Sequence, residues 1–76
     1  MKQRSPKQVK KSFGDAVRRL RKERGLSQEG LALASGMDRS YIGGVERGER
    51  NISLFNIVGL SHALGVKASY LLEGVE

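Results

Sequence analysis

The residues best suited to chemistry in this chain are hydrogen-bonding side chains in the segment Ser27–Asn51. The run Asp38-Arg39-Ser40-Tyr41 places a guanidinium, a hydroxyl and a phenol at the predicted start of a helix. An arginine there projects past the helix end, and its planar fork matches the two acceptors on the major-groove edge of guanine. Gln28 begins the preceding predicted helix, where its carboxamide and the unpaired backbone N–H groups can bind a phosphate or a base edge. These residue types indicate recognition of a nucleic acid.

The predicted helix that begins after Asp38 contains two further polar side chains, Ser40 and Tyr41, and each has two interpretations. Ser40 can hydrogen-bond to a base edge or a phosphate, and Tyr41 can reach a phosphate with its hydroxyl or lie against the DNA backbone. Alternatively, Ser40 is solvated and the Tyr41 ring is partly buried beneath the helix. Arg47, at the helix end, is expected to contact a phosphate or to form an ion pair with Glu46 or Glu29.

Three glycines lie inside these short predicted helices, where each costs about 1 kcal/mol relative to alanine. They are Gly30, Gly43 and Gly44. Gly43 and Gly44 would let the helix backbone approach DNA closely, which favours recognition through DNA shape at uncontacted base pairs. Small residues are equally compatible with a crowded helix crossing, and both interpretations stay open.

The first predicted helix carries most of the positive charge. Its inward face is formed by apolar residues spaced four, four and three apart, namely Val9, Phe13, Val17 and Leu20. It begins either at Ser5-Pro6, with Gln8 completing a capping box, or at Ser12. Residues 1–12 are therefore either a basic extension that follows the DNA backbone or the start of this helix, and Gly25 ends it.

Four more helices are predicted between Ser27 and Leu72. Ser27 caps the second, in which Leu31 and Ala34 are expected to face inward with Ala32 also in the core. Gly36 supplies the turn, and Asp38 caps the third helix, whose buried pair is Ile42 and Val45. Residues 46–51 form a polar loop. Ser53 caps a fourth helix that ends at Gly65, with apolar positions at Leu54, Ile57, Val58 and Leu64, and residues 68–72 form the fifth. No segment alternates as a strand does, so the predicted fold is all-α with one domain over residues 13–76.

The composition excludes several kinds of protein. Residues 1–24 contain ten of the 14 lysines and arginines and only two acidic residues, which is the charge distribution of a partner for a polyanion. The chain has no cysteine and one histidine, His62, so no metal site, cofactor or catalytic set is expected. No apolar run approaches the roughly 20 residues of a membrane helix. We expect a soluble, cytoplasmic protein that is not an enzyme and has no membrane contact.

The C-terminal half has more apolar side chains than a domain of 76 residues buries comfortably. We expect a twofold homodimer through these residues, with two recognition helices about 34 Å apart. The side chains expected at the interface are Leu54, Phe55, Val66, Tyr70, Leu71 and Leu72.

Three segments carry a resemblance to a known family. FGDAVRRLRKERGLSQEGLA, SGMDRSYIGGVERGERNISL and LSHALGV followed by SYLLEG resemble the lambda-repressor-like (Cro/Xre-type) helix-turn-helix domains. Within that family, DRSYIGGVERGERN is most similar to the controller proteins of restriction–modification systems. The resemblance implies a five-helix DNA-binding domain and places Arg39 and Gln28 at the DNA. It also implies that Arg50 and Asn51 approach the DNA backbone, with a solvated loop as the alternative.

The residues and the resemblance together predict a dimeric transcriptional regulator. It would bind double-stranded DNA at a pseudo-palindromic operator and control its own operon, and a contact with RNA polymerase stays open. The alternatives are a phage-type repressor, the antitoxin of a toxin–antitoxin pair, or a protein-interaction module that retains the fold.

Overall fold

The structure, a computed structural model, describes residues 3–75 and contains five α-helices. They are α1 (Pro6–Glu23), α2 (Gln28–Ser35), α3 (Arg39–Glu46), α4 (Leu54–Leu64) and α5 (Ala68–Leu72). No strand occurs within this range, so the predicted all-α fold of five helices is confirmed. The parts of the predicted extension and domain that fall on Met1, Lys2 and Glu76 lie outside the described residues. None of the helices in residues 3–75 is both long and apolar enough to cross a membrane.

The start of α1 is set by a capping box at Ser5. The Ser5 hydroxyl accepts a hydrogen bond from the Gln8 backbone N–H, and the Gln8 side chain accepts one from the Ser5 backbone N–H. Pro6 takes the first helical position, where its missing N–H is not needed. The helix therefore begins at the earlier of the two predicted starts and runs without a break through residues 6–12.

The core lies where α1, α2 and α3 meet α4 and α5. Every helix contributes to it, and the buried apolar side chains are Phe13, Val17, Leu20, Leu31, Ala32, Ile42, Val45, Leu60, Leu64 and Leu71. The predicted inward residues of α1 and α3 are confirmed, with Val9 partly buried at the edge.

One detail of the predicted core is wrong. Ala34 is exposed, because the inward stripe of α2 follows Leu31 and Ala32 and turns its neighbour Leu33 fully outward. In α4, Leu54 and Val58 are exposed. The inward stripe of that helix runs through Leu60 and the predicted Leu64, so the apolar side chains of the first turn of α4 are not part of the core.

Gly14 determines how closely α1 and α3 approach. A β-carbon at this buried position would collide with the Val45 carbonyl oxygen and lie 2.8 Å from the Glu46 carbonyl oxygen. Because both neighbours are backbone atoms, no side chain can move aside. The absence of a side chain at Gly14 thus lets α1 pack closely against the C-terminal end of α3, which lies next to the predicted DNA-contacting residues.

Candidate nucleic-acid interface

The N-terminal end of α3 presents two exposed polar side chains. Arg39 and Ser40 occupy the first two helical positions, and Asp38 is the N-cap with extended backbone. The Asp38 side chain makes no capping hydrogen bond. Within residues 3–75 Arg39 forms no ion pair. The guanidinium is therefore available to an external acceptor.

The support for α3 comes from α2 across a short turn. The Ser27 hydroxyl accepts a hydrogen bond from the Gly30 backbone N–H and so caps α2. Gly36 ends that helix with φ of 72°, a left-handed conformation that glycine adopts without a steric penalty. Two eight-residue helices joined in this way form the support-and-recognition pair of a helix-turn-helix.

The C-terminal end of α3 carries a buried ion pair. Glu46 is 4% exposed, and its two oxygens accept hydrogen bonds from Arg21 Nε at 2.6 Å and Arg21 Nη2 at 3.1 Å. The hydrogen bond to Glu46 raises the pKa of the Arg21 guanidinium above its ordinary value. Arg21 Nη1 also donates to the Leu26 carbonyl oxygen at 2.8 Å. The pair thus holds α1, α3 and the connection between α1 and α2 together.

Gln28 is the third member of this network. Its Nε2 donates to Glu46 Oε1 at 3.1 Å, which fixes the orientation of the carboxamide at the start of α2. Within the described residues, no buried side-chain polar atom lacks a hydrogen-bond partner. The side chain expected to contact DNA is therefore held in place by a buried carboxylate.

The placement of Glu46 in a polar loop is wrong. Glu46 is the last residue of α3, four positions after Ile42 and next to Val45, so it falls on the buried face. Arg21 likewise lies four residues after Val17 on the buried face of α1. The sequence did contain a signal for their burial, because each of the two charged residues is in register with an apolar stripe of its helix.

Gly43 and Gly44 lie beneath the side chains of Arg47 and Arg50. A β-carbon on Gly43 would lie 3.0 Å from Arg47 Nη1 and 3.6 Å from Gln28 Oε1. A β-carbon on Gly44 would lie 3.1 Å from both Cγ and Nε of Arg50. Both glycines are buried beneath these side chains, so the arginines, rather than bare backbone, form this part of the surface.

The Tyr41 ring is partly buried, as one of its two interpretations predicted. It packs against the core, and the Tyr41 hydroxyl accepts a hydrogen bond from Asn56 Nδ2 at 3.2 Å. The Arg50 guanidinium lies 5.2 Å from the ring centroid, within the range of a cation–π interaction. Tyr41 therefore positions Arg50, while Asn51 is exposed in the loop beyond it.

Arg47 forms an ion pair, but with a different partner from those expected. Arg47 Nε lies 3.1 Å from Glu49 Oε2, whereas Glu46 is occupied by Arg21. The pKa of the Glu49 carboxyl is lowered, mainly by its hydrogen bond to Arg47. Both side chains are mostly exposed, so the pair is weak and open to competition from other anions.

The apolar residues expected at a dimer interface have different environments. Phe55 is 85% and Leu54 is 74% exposed, and Tyr70 is also exposed. Val66 and Leu72 are partly buried against the core. Leu71 is wholly inaccessible inside the core, so it is not available to a partner and leaves the expected set.

No cluster of three or more potential metal ligands occurs among residues 3–75, and His62 lies on the surface.

Most of the domain matches a known protein family. Residues 17–71 match the model of the helix-turn-helix family.

Curated relatives and a solved structure agree on a narrower group. The control protein C.MunI from a Mycoplasma species is 41% identical over 69 residues, covering 90% of this chain and 93% of the relative. The control protein C.BamHI of Bacillus amyloliquefaciens is 47% identical over 62 residues, covering 80% and 76% respectively. The crystal structure of the restriction–modification controller protein C.AhdI from Aeromonas hydrophila superimposes with a TM-score of 0.80 at 55% identity, covering 82% of this chain and 94% of that one.

Proposed function

This chain belongs to the helix-turn-helix family, in the group that contains the control proteins of restriction–modification systems, and we propose that it is a dimeric transcriptional regulator that binds an operator in double-stranded DNA. The observation that carries the proposal is the exposed Arg39–Ser40 pair at the first turn of α3. It stands beside a Gln28 carboxamide whose orientation is fixed from inside the fold.

Arg39 is proposed to read a guanine. A bidentate contact from arginine to guanine O6 and N7 gives about 1–3 kcal/mol of discrimination against other bases. Ser40 would hydrogen-bond at a neighbouring base edge or phosphate. Gln28, Arg47, Arg50 and Asn51 would contact the DNA backbone, which positions α3 in the major groove.

A twofold dimer on a pseudo-palindromic operator is the assembly that suits a recognition surface of this size. One eight-residue helix reads few base pairs, and a second copy one helical turn away doubles the site. The exposed Leu54, Phe55 and Tyr70 and the partly buried Val66 and Leu72 supply apolar surface for the contact. The resemblance to controller proteins implies that the protein acts on its own operon, and this role is part of the proposal.

The test of operator binding is a pull-down of fragmented genomic DNA followed by sequencing near 150 mM salt. The wild type is compared with Arg39→Ala. We expect the wild type to enrich a short twofold motif upstream of its own gene, and Arg39→Ala to lose preference for one guanine. Flat enrichment for both proteins, with binding that disappears as salt rises, would reduce the interaction to electrostatics and favour the protein-interaction module instead.

The dimer has its own test. Sedimentation equilibrium is measured for the wild type, Phe55→Gln and the control Leu33→Gln. Leu33 is 82% exposed on α2 and lies outside the proposed interface. We expect Phe55→Gln to weaken self-association and Leu33→Gln to leave it unchanged. Equal self-association of the two variants would show that Phe55 does not lie at the dimer interface.

A further inference from the structure

The N-terminal half of α1 and the loop after α3 enclose a basic groove. Its volume is about 550 Å³, and its lining residues are Arg4, Lys7, Gln8, Lys11, Ser12, Arg47, Gly48 and Glu49. Four of these side chains are cationic and one is acidic. We call it the α1 groove and propose that it binds the sugar–phosphate backbone of the duplex beside the base pairs read by α3. This proposal rests on the proposed function and extends the contact surface beyond the helix-turn-helix.

The groove has a fixed shape because its two walls touch. Gly48 has φ of 76°, and a β-carbon there would lie 3.0 Å from Lys11 Cα and 3.1 Å from Lys11 N. The loop backbone therefore lies directly on the α1 backbone. On the other side, Arg4 Nη1 donates to Ser12 Oγ at 2.7 Å and to the Gly74 carbonyl oxygen at 3.0 Å, which ties the chain before α1 to the domain.

The α1 groove continues the surface of α3. Arg47 lines the groove, and its guanidinium and the Gln28 carboxamide both lie within 4 Å of the position that a β-carbon on Gly43 would take. A continuous polar strip thus runs from Gln28 through Arg47 to Lys11 and Lys7. Since Gln28 and Arg47 are proposed to lie at the DNA backbone, a duplex seated there extends toward the α1 lysines. This continuity favours DNA over a separate acidic protein as the occupant.

The charges in the groove are available to phosphate. Lys7 forms no ion pair within residues 3–75. Lys11 pairs with Asp15 at 2.9 Å and Arg47 pairs with Glu49 at 3.1 Å, and all four side chains are more than half exposed. Exposed pairs of this kind contribute at most about 1 kcal/mol, so a phosphate can replace either carboxylate.

The experiment compares two charge-matched double variants on a random-sequence duplex of about 40 base pairs. Lys7→Gln with Lys11→Gln removes two charges from the groove, and Lys22→Gln with Lys67→Gln removes two exposed charges elsewhere. Lys22 lies 15 residues after Lys7 on the same helix, about 22 Å away along its axis. Binding is followed by fluorescence anisotropy between about 50 and 200 mM salt, and circular dichroism verifies that each variant is folded.

We expect the groove variant to flatten the slope of log K against log salt by about two per bound protomer, since each phosphate contact contributes about 0.9. Its affinity near 150 mM salt should fall roughly tenfold, and the control should retain the wild-type slope. Glu49→Gln should strengthen binding because it removes the acidic lining residue. Equal losses in both double variants, or an unchanged slope in the groove variant, would overturn the α1 groove proposal alone. Absence of DNA binding by the wild type would overturn the proposed function as well.

Discussion

The two ends of α3 differ in how their polar side chains are held. At the N-terminal end, Arg39 and Ser40 are exposed and Arg39 forms no ion pair within residues 3–75. At the C-terminal end, Glu46 is buried in a bidentate pair with Arg21 and also fixes Gln28. The difference separates two tasks. One end is free to hydrogen-bond to an external partner, which we propose to be DNA bases, and the other end holds the helix and its neighbours in position.

This division predicts that substitutions at the two ends change different quantities. Substitutions at the buried end should lower the free energy of unfolding, and substitutions at the exposed end should lower DNA affinity without destabilising the fold.

The largest effect is expected for Glu46→Ala. It leaves the Arg21 guanidinium buried without its carboxylate, and removing one partner of a buried pair costs about 3–5 kcal/mol of stability. Urea denaturation followed by circular dichroism measures this loss. Arg21→Met combined with Glu46→Leu should recover part of it, because no unpaired charge remains. A loss below about 1 kcal/mol for Glu46→Ala would mean that the pair does not hold α3.

Gly14→Ala should have the second-largest effect. Its β-carbon meets the backbone carbonyl oxygens of Val45 and Glu46, so α1 must shift away from the end of α3. Overpacking of this kind costs about 1–3 kcal/mol, in spite of the better helix propensity of alanine. Thermal denaturation gives the value.

Gly59→Ala is the matched control for Gly14→Ala. A β-carbon at this helical glycine meets only Met37 Cε, the end of a flexible side chain, at 3.3 Å. This variant should be as stable as the wild type or more stable, by up to about 1 kcal/mol. Destabilisation of both variants by the same amount would show that the α1–α3 contact is not special.

The general architecture could be predicted from the sequence, because each helix carries its own local signals. Ser5, Ser27 and Ser53 cap helices, and Gly36 and Gly65 end them, as expected. The site was harder to predict because it depends on contacts between helices. The pairing of Arg21 with Glu46 spans 25 residues, and the register of each residue with an apolar stripe indicates that it is buried but not which residue it contacts. The close approach at Gly14 is likewise a property of two helices together.

Gly43→Ala should change stability and binding in opposite directions. Alanine favours the helix by up to about 1 kcal/mol, and the Arg47 side chain can move aside from its 3.0 Å contact. The displaced arginine then loses its place beside Gln28, so DNA affinity should fall a few-fold. Denaturation and anisotropy titration on the same preparation measure both. A fall in stability together with unchanged affinity would contradict the seating of Arg47 by this glycine.

The smallest effect concerns pH. The pKa of Glu49 is lowered below the ordinary 4.5, chiefly by Arg47. A lowered pKa in the folded state means that the pair stabilises the protein above the carboxyl pKa of the unfolded chain. That stabilisation is lost as pH falls through the folded pKa. Nuclear magnetic resonance titration of the Glu49 carboxyl should give a higher pKa in Arg47→Gln than in the wild type. An identical Glu49 pKa in the two proteins would show that Arg47 does not pair with Glu49.

The most direct test of the account substitutes Arg39 by lysine, which keeps the charge and loses the bidentate fork. Unfolding in urea and binding to two duplexes, the enriched operator and a random sequence of the same length, are measured for the variant and the wild type. We expect an unchanged free energy of unfolding, an unchanged affinity for the random duplex, and a loss of about 1–3 kcal/mol of binding free energy on the operator. Equal losses on both duplexes, or a lower stability, would contradict the assignment of base reading to the exposed end of α3.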